Sequence, residues 1–479
     1  MSAAMLWIVL PIGLGAALLL LSRANESLTI ALAVGVSLVL AWIAWQVPLD
    51  TPNQLGPFTL RIFPSFSVFG RSFLFTEADR SLLTLTYTGL SLWLAGTLLA
   101  QPGRLFQPSA LMVTGLLVAA YAVEPFLYAA LLIAVAVLIS VPMLAPPGSQ
   151  PGPGVFRYIT FQMLAVPFIL FTGWLLSGVE ASPGNLALTL RAAVLLGIGL
   201  IFLMSVVPFH SWIPMVATES HPYAASFVFL YLPSLTAVFA LAFFDRYAWL
   251  RDRQLTYELF LMVGNLVVLL GGLWVASQQR LRKMLAYAVV IGIGSGLQAI
   301  GLGGSLSVEL FFALLIPRGF ALWVWAVALS AFEQVSDQPL TLDNFRPLAR
   351  RHPLLTIAML AAIFSLAGLP LLAGFPAALE LWGALGQVSG LAASAALLGS
   401  LGLGVAALRL VWARLQPAPA VETGAGSRAA ITDEGDLGNP YAWVYFVFSL
   451  GVLLLLGLAP RLLLGDLADL AAIFPQIGP

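Results

Sequence analysis

The sequence predicts an all-α polytopic membrane protein with about fourteen transmembrane helices, and three observations carry that expectation. Of its 479 residues, 60% are hydrophobic and only 9% charged, whereas a soluble domain of this size carries about a quarter charged residues. The mean hydropathy is +0.98, which suits a chain solvated mainly by lipid. Apolar runs of roughly 20 residues, the length that crosses a bilayer, recur along the whole chain and leave no stretch for a soluble domain. Regular alternation of polar and apolar residues does not mark these runs, so a membrane β-barrel is excluded. Cysteine is absent, which excludes disulfides, thiolate metal ligands and iron–sulfur clusters carried by this chain. The formal net charge is zero and gives no reason to expect a nucleic-acid partner.

Taken in order, the first apolar run covers 4–22. It lacks a basic lead-in and a second run follows within a few residues, so it reads as a retained helix rather than a cleaved signal peptide. Further spans are expected at 27–47, 81–100, 107–123, 125–146, 156–178, 186–209, 222–244, 257–276, 284–302, 307–331, 353–375, 387–412 and 441–461. Three connections are long. Residues 48–80 contain Pro, Gly and alternating aromatics and predict an extracytoplasmic hairpin or loop over the helices. Residues 332–352 mix charges with Pro and predict an aqueous loop. Residues 415–440 are small, polar and rich in Pro and Gly, and predict a flexible connection.

An even number of spans places both termini on one side. With the termini outside, the cytoplasmic face carries twelve basic residues: Arg23, Arg104, Arg157, Arg280, Arg282, Lys283, Arg346, Arg350, Arg351, Arg409, Arg414 and Arg428. The other face carries eight: Arg61, Arg71, Arg80, Arg191, Arg246, Arg251, Arg253 and Arg461. The excess favours this orientation.

Two apolar runs carry proline where a helix should continue: SVVPFHSWIP at 205–214, with Pro208 and Pro214, and LAGLPLLAGFPAALELW at 366–382, with Pro370. Proline removes an amide donor and clashes with the preceding turn. Interrupted helices at membrane depth survive only where protein or water satisfies the freed backbone. The breaks fall in the seventh and twelfth spans, five apart. That spacing fits two five-helix units, and it equally fits two proline kinks in a packed bundle.

The segment VVPFHSWIPMVATESHPYAASFVFLYLPS at 206–234 resembles the Pro-Phe/Leu-His-x-Trp-Leu-Pro-x-Ala signature of the antiporter-like membrane subunits of respiratory complex I and of Mrp-type cation/proton antiporters. QQRLRKMLAYAVVIGIGSGLQAIGLG at 278–303 and FSLAGLPLLAGF at 364–375 are similar to two further stretches of that family, in the family's order. The resemblance implies two inverted five-helix repeats with broken helices 7 and 12. On that basis 1–106 holds flanking helices 1–3 with the 48–80 loop, 107–244 the first repeat, 257–412 the second, and 413–479 a cytoplasmic loop, helix 14 and the tail. It implies a prokaryotic cytoplasmic (inner) membrane location, homologous membrane subunits as partners and peripheral redox subunits as further partners. With three histidines and no cysteine, no cofactor or metal of the chain's own is expected.

The family's implied proton path is a midplane row of ionisable side chains, and most of that row is missing here. Glu124 matches the acid at the start of the fifth helix, but the essential Glu position falls on Ile133. The seventh-helix Lys position falls on Leu203. The chain has one lysine, Lys283, expected in an aqueous loop, so no shift of the alignment restores a membrane lysine. In the second half Arg318 takes the eleventh-helix Lys position, and Leu314 stands where the family has a His. On the twelfth helix the ionisable position falls on Ala378, with Glu380 two residues on, which turns it to another face. An arginine stays protonated and cannot release protons in a cycle.

Proton-path candidates are therefore Arg318, Glu380, His210 and Glu124. For Arg318 with Glu380 a structural ion pair competes with a transport role. His210 either passes protons or only bonds carbonyls freed at the break. Glu219 and His221 are expected to be solvated in a loop. Two functions stand: a subunit coupled to proton or cation translocation through a degenerate relay, or a non-conducting membrane subunit that anchors partners of a redox, hydrogenase or inorganic-carbon-uptake complex. No catalytic constellation marks this chain as an enzyme.

Overall fold

The computed structural model describes all residues except 56–57, 69, 182–184, 337, 417–439, 462–466 and 478–479. The expected 415–440 connection and Arg428 therefore lie almost wholly outside the described residues.

Every predicted run holds an apolar helix. Among the described residues ten are long and apolar enough to cross a membrane, from Glu26–Gln46 to Gly390–Leu415. Four shorter ones, Met5–Leu21, Phe106–Ala122, Pro353–Leu366 and Ala442–Leu458, occupy the first, fourth, twelfth and fourteenth runs. Several helices start where sequence supplies an acceptor for a free amide. Asn25 accepts from the Leu28 amide, Asn185 from Leu188 and Ser389 from Ala392. The most buried spans are Pro222–Arg246 and Leu281–Gly301, so the core sits where helices of the two expected halves meet.

Without a hydrophobic drive between helices in lipid, close approach depends on small residues. The Gln254–Ser277 helix shows this. A methyl group at Gly402 would lie 2.3 Å from the Gly272 carbonyl oxygen, and one at Gly272 would lie 2.8 Å from the Gly399 Cα. These glycines let Gly390–Leu415 pack backbone to backbone against it.

The connections sort into two faces by their mutual contacts. On one face Ser65–Val68 pairs antiparallel with Arg71–Leu74, which in turn pairs with Val123–Glu124. The Ala3 amide donates to the Phe63 carbonyl there. Asp245 accepts from the amides of Gln476 (2.6 Å) and Ile477 (3.0 Å). On the opposite face Gly154 donates to Glu219, and Arg409 to the Gln278 carbonyl. Leu281 donates to the Leu340 carbonyl. Every one of these contacts joins connections separated by an even number of helices, as antiparallel crossing demands.

Four expectations need correction. The seventh span ends at Leu203, not 209, and resumes as Trp212–Glu219. The twelfth ends at Leu366 and resumes as Phe375–Val388, a half-helix the hydropathy reading left between two spans. The 332–352 stretch is not an aqueous loop throughout: the preceding helix runs to Ser336, and Leu342–Arg351 is an amphipathic helix that buries Phe345 and Ala349. Lys283 lies in the first turn of Leu281–Gly301 rather than in a loop.

Both breaks use the same device. Each contains a non-glycine residue with positive φ, Ser205 at 56° and Leu371 at 73°, a conformation that reverses the chain at a steric cost. Pro208 and Pro370 lie within the breaks. Pro214 does not. It stands in the first turn of Trp212–Glu219, where its missing amide would have had no helical partner.

An arginine at the second helix break

Arg318 lies in the middle of the Gly304–Ser336 helix, directly after Pro317. Its side chain is half-buried and reaches between two neighbouring helices. One terminal nitrogen donates to the Gly292 carbonyl of Leu281–Gly301. The other lies 3.4 Å from the Ser234 hydroxyl of Pro222–Arg246. Arg318 thus ties a helix of the first half to one of the second. Gly292 is required for this, because a Cβ there would lie 2.5 Å from Arg318 Cδ.

Beside Arg318 is a cavity of about 60 Å³ at the second break. Ser295, Ser365, Ser400, Gly374 and Ala378 are among the residues lining it. The buried Ser365 hydroxyl accepts from the Gly374 amide at 3.0 Å, just before the Phe375–Val388 half-helix begins. Leu314 and Ala378, the positions where the resemblance implies ionisable residues, both face this cavity.

The predicted site residues are not brought together. Glu380 is exposed on the outer face of its half-helix and does not line the cavity. It forms no ion pair with Arg318: among the described residues Arg318 has no carboxylate within 4.0 Å. The offset from 378 to 380 rotates the carboxylate about 200° around the helix, which accounts for the failed pairing. Glu124 pairs instead with Arg246 at 2.9 Å, on the face that carries the β-hairpin. His210 is buried at the first break and stacks on Trp274, ring centroids 4.9 Å apart. Its Nδ1 has no hydrogen-bond partner among the described residues. Ile133 and Leu203 are buried among apolar neighbours.

One polar cluster went unforeseen. Arg282 pairs with Glu333 at 2.7 Å, both largely shielded, and donates to the Thr218 and Ser220 carbonyls at the end of Trp212–Glu219. It thereby holds the second half of the broken seventh helix to two helices of the other half. Glu219 and His221 are not simply solvated. Glu219 accepts from the Gly154 amide at 2.8 Å, and His221 Nδ1 accepts from the Tyr223 amide at 3.3 Å. Burial, and then the Arg282 charge, push the His221 imidazole down to about 4. A charged pair 51 residues apart, on consecutive helices, leaves no local pattern, so only the placement of Arg282 and Glu333 at helix ends on one predicted face hinted at it. Among the described residues no group of His, Cys, Asp and Glu could hold a metal.

Antiparallel membrane helices, two matched breaks and a cation beside one of them define a transporter-like membrane subunit. Residues 161–403 match the family model for the transmembrane region of NADH:quinone oxidoreductase and Mrp antiporters. That is just over half of the chain, and the chain belongs to this family. NADH-quinone oxidoreductase subunit 14 of Thermus thermophilus is 31% identical over 249 residues, 50% of this chain and 54% of that one. Subunit N of Pelagibacter ubique is 27% identical over 183 residues, 37% and 38% of the two chains. The matched sequence thus spans about half or less of these curated relatives. In fold the likeness extends over nearly the whole chain. A chain of the Mrp complex from a Dietzia species superposes with a TM-score of 0.80 at 20% identity, covering 98% of this chain and 96% of that one. A chain of respiratory complex I from Thermus thermophilus with bound NADH gives 0.72 at 21%, covering 99% of each.

Proposed function

We propose that this chain is an antiporter-like subunit of a complex-I-related or Mrp-type membrane assembly, packed beside homologous subunits, in which a degenerate relay survives only around Arg318. The observation that carries this reading is the contrast between the halves. In the first, the positions for the relay's Glu and Lys are the buried apolar residues Ile133 and Leu203. In the second, a cation, three hydroxyl groups and a cavity remain at the helix break. A proton path needs polar groups that hydrate or steer protons, and buried hydrocarbon offers none; Arg318 keeps its own proton and would act by shaping the field around the hydroxyl groups. The division into repeats at 107–244 and 257–412 belongs to this proposal and is supported by breaks of the same construction five helices apart.

The second reading, a non-conducting subunit that anchors partners, draws support from Glu380. Exposed on an outer face, it offers no titrating partner to a guanidinium that itself holds its proton.

Proton flux in the purified, reconstituted assembly separates the two. Participation predicts that Arg318→Ala lowers flux at least about tenfold while Glu380→Gln changes it less. Flux unchanged by Arg318→Ala defeats the relay reading and leaves the anchoring one.

A further inference from the structure

We propose that the cavity at the second helix break binds a small inorganic anion, of the chloride type, on Arg318. This goes beyond the relay reading and stands whether or not the chain conducts protons. Arg318 keeps its charge under ordinary conditions, and a cation at membrane depth is costly unless paired. Its two protein partners, the Gly292 carbonyl and the Ser234 hydroxyl, are both neutral. They engage only part of a fork of five N–H donors. No Asp or Glu lines the cavity, and among the described residues none lies within ion-pair distance.

The other groups at the cavity favour the same sign of charge. The Ser365 oxygen accepts from the Gly374 amide, so its own O–H is free to donate. Ser400 makes no hydrogen bond to the described residues and can donate as well. Gly374 precedes the N-terminus of the fourteen-residue half-helix Phe375–Val388, whose dipole favours negative charge there. A guanidinium, two free hydroxyl hydrogens and a helix N-terminus repel cations and solvate an anion. A cavity of about 60 Å³ has room for a halide and a water or two. It is far below the roughly 300 Å³ at which sites for organic ligands begin.

The test is chloride binding to the full-length protein in detergent, read as broadening of the chloride NMR line and displaced by bromide, with gluconate holding the ionic strength constant. Wild type should show saturable, bromide-competed broadening. Arg318→Met should lose it, with affinity at least about tenfold weaker. Ser400→Ala, which disturbs no protein hydrogen bond, should weaken it by a smaller factor. Bromide-derived anomalous density from wild-type crystals should lie beside the Arg318 guanidinium, and it carries the test if Arg318→Met fails to fold. Absence of saturable broadening in wild type overturns the proposal. So does equal broadening in wild type and Arg318→Met, or bromide density only elsewhere.

Discussion

Arg318 and Gly292 fit as a pair: the guanidinium donates to the Gly292 carbonyl, and the missing side chain at 292 is the space the arginine occupies. Replacing Gly292 with Ala would put a methyl group 2.5 Å from Cδ and 2.8 Å from a terminal nitrogen of Arg318. The arginine must then move or the helices must part, at about 1–3 kcal/mol. Thermal unfolding in detergent should register that loss. The loss should shrink in an Arg318→Met background, because the two residues share one space.

The Arg282–Glu333 pair holds the far end of the Trp212–Glu219 half-helix. Both side chains are largely shielded, at 18% and 9% exposure. Glu333→Ala strands a cation that also bonds the Thr218 and Ser220 carbonyls, and should cost about 2–4 kcal/mol. The double replacement Arg282→Met, Glu333→Leu should recover part of that stability, as measured by denaturant unfolding.

His221 supplies a pH dependence. Its proton affinity in the folded protein sits near 4 against an ordinary 6.5, chiefly through burial and secondarily through Arg282. Between those values the unfolded chain holds more protons than the folded one. The stability linked to neutral His221 is therefore present above about pH 6.5 and is lost as pH falls through about 4. His221→Asn, which can still accept the Tyr223 amide, should flatten the stability curve in that window.

The glycine seam between Gln254–Ser277 and Gly390–Leu415 gives a paired test. Gly402→Ala meets the Gly272 backbone at 2.3 Å and should destabilise by about 1–3 kcal/mol. Gly404→Ala on the same helix meets nothing within 4 Å and should stabilise by up to about 1 kcal/mol through helix propensity. Melting temperatures of the two variants should move in opposite directions.

Much of this fold was legible because a helix in lipid must satisfy its backbone internally and bear an apolar surface, and both demands are written locally. Span positions and the two breaks followed from that, while Pro, Gly and alternating aromatics marked 48–80 as a hairpin or loop. Hydropathy misread Phe375–Val388 because a half-helix is too short to register as a span, and it placed Lys283 in a loop because a charged first turn looks aqueous. The candidate site was legible residue by residue but not as an arrangement. Arg318 stood out as a charge in an apolar run, while its partners are a carbonyl and a hydroxyl that no pattern flags. Glu380 was the acid next to the twelfth-helix position at Ala378, and its two-residue offset carried it to the outside.

The tie from Arg318 to the Pro222–Arg246 and Leu281–Gly301 helices has a consequence for the membrane's insulation. A permanent positive charge held between two helices raises the electrostatic barrier to hydronium and metal cations, as arginine does in pores that must pass water without protons. A counter-anion beside it would lower that barrier. With such an anion bound, the ionic composition around the protein would set how well this part of the bilayer resists leakage, even in a subunit that moves no ion by design.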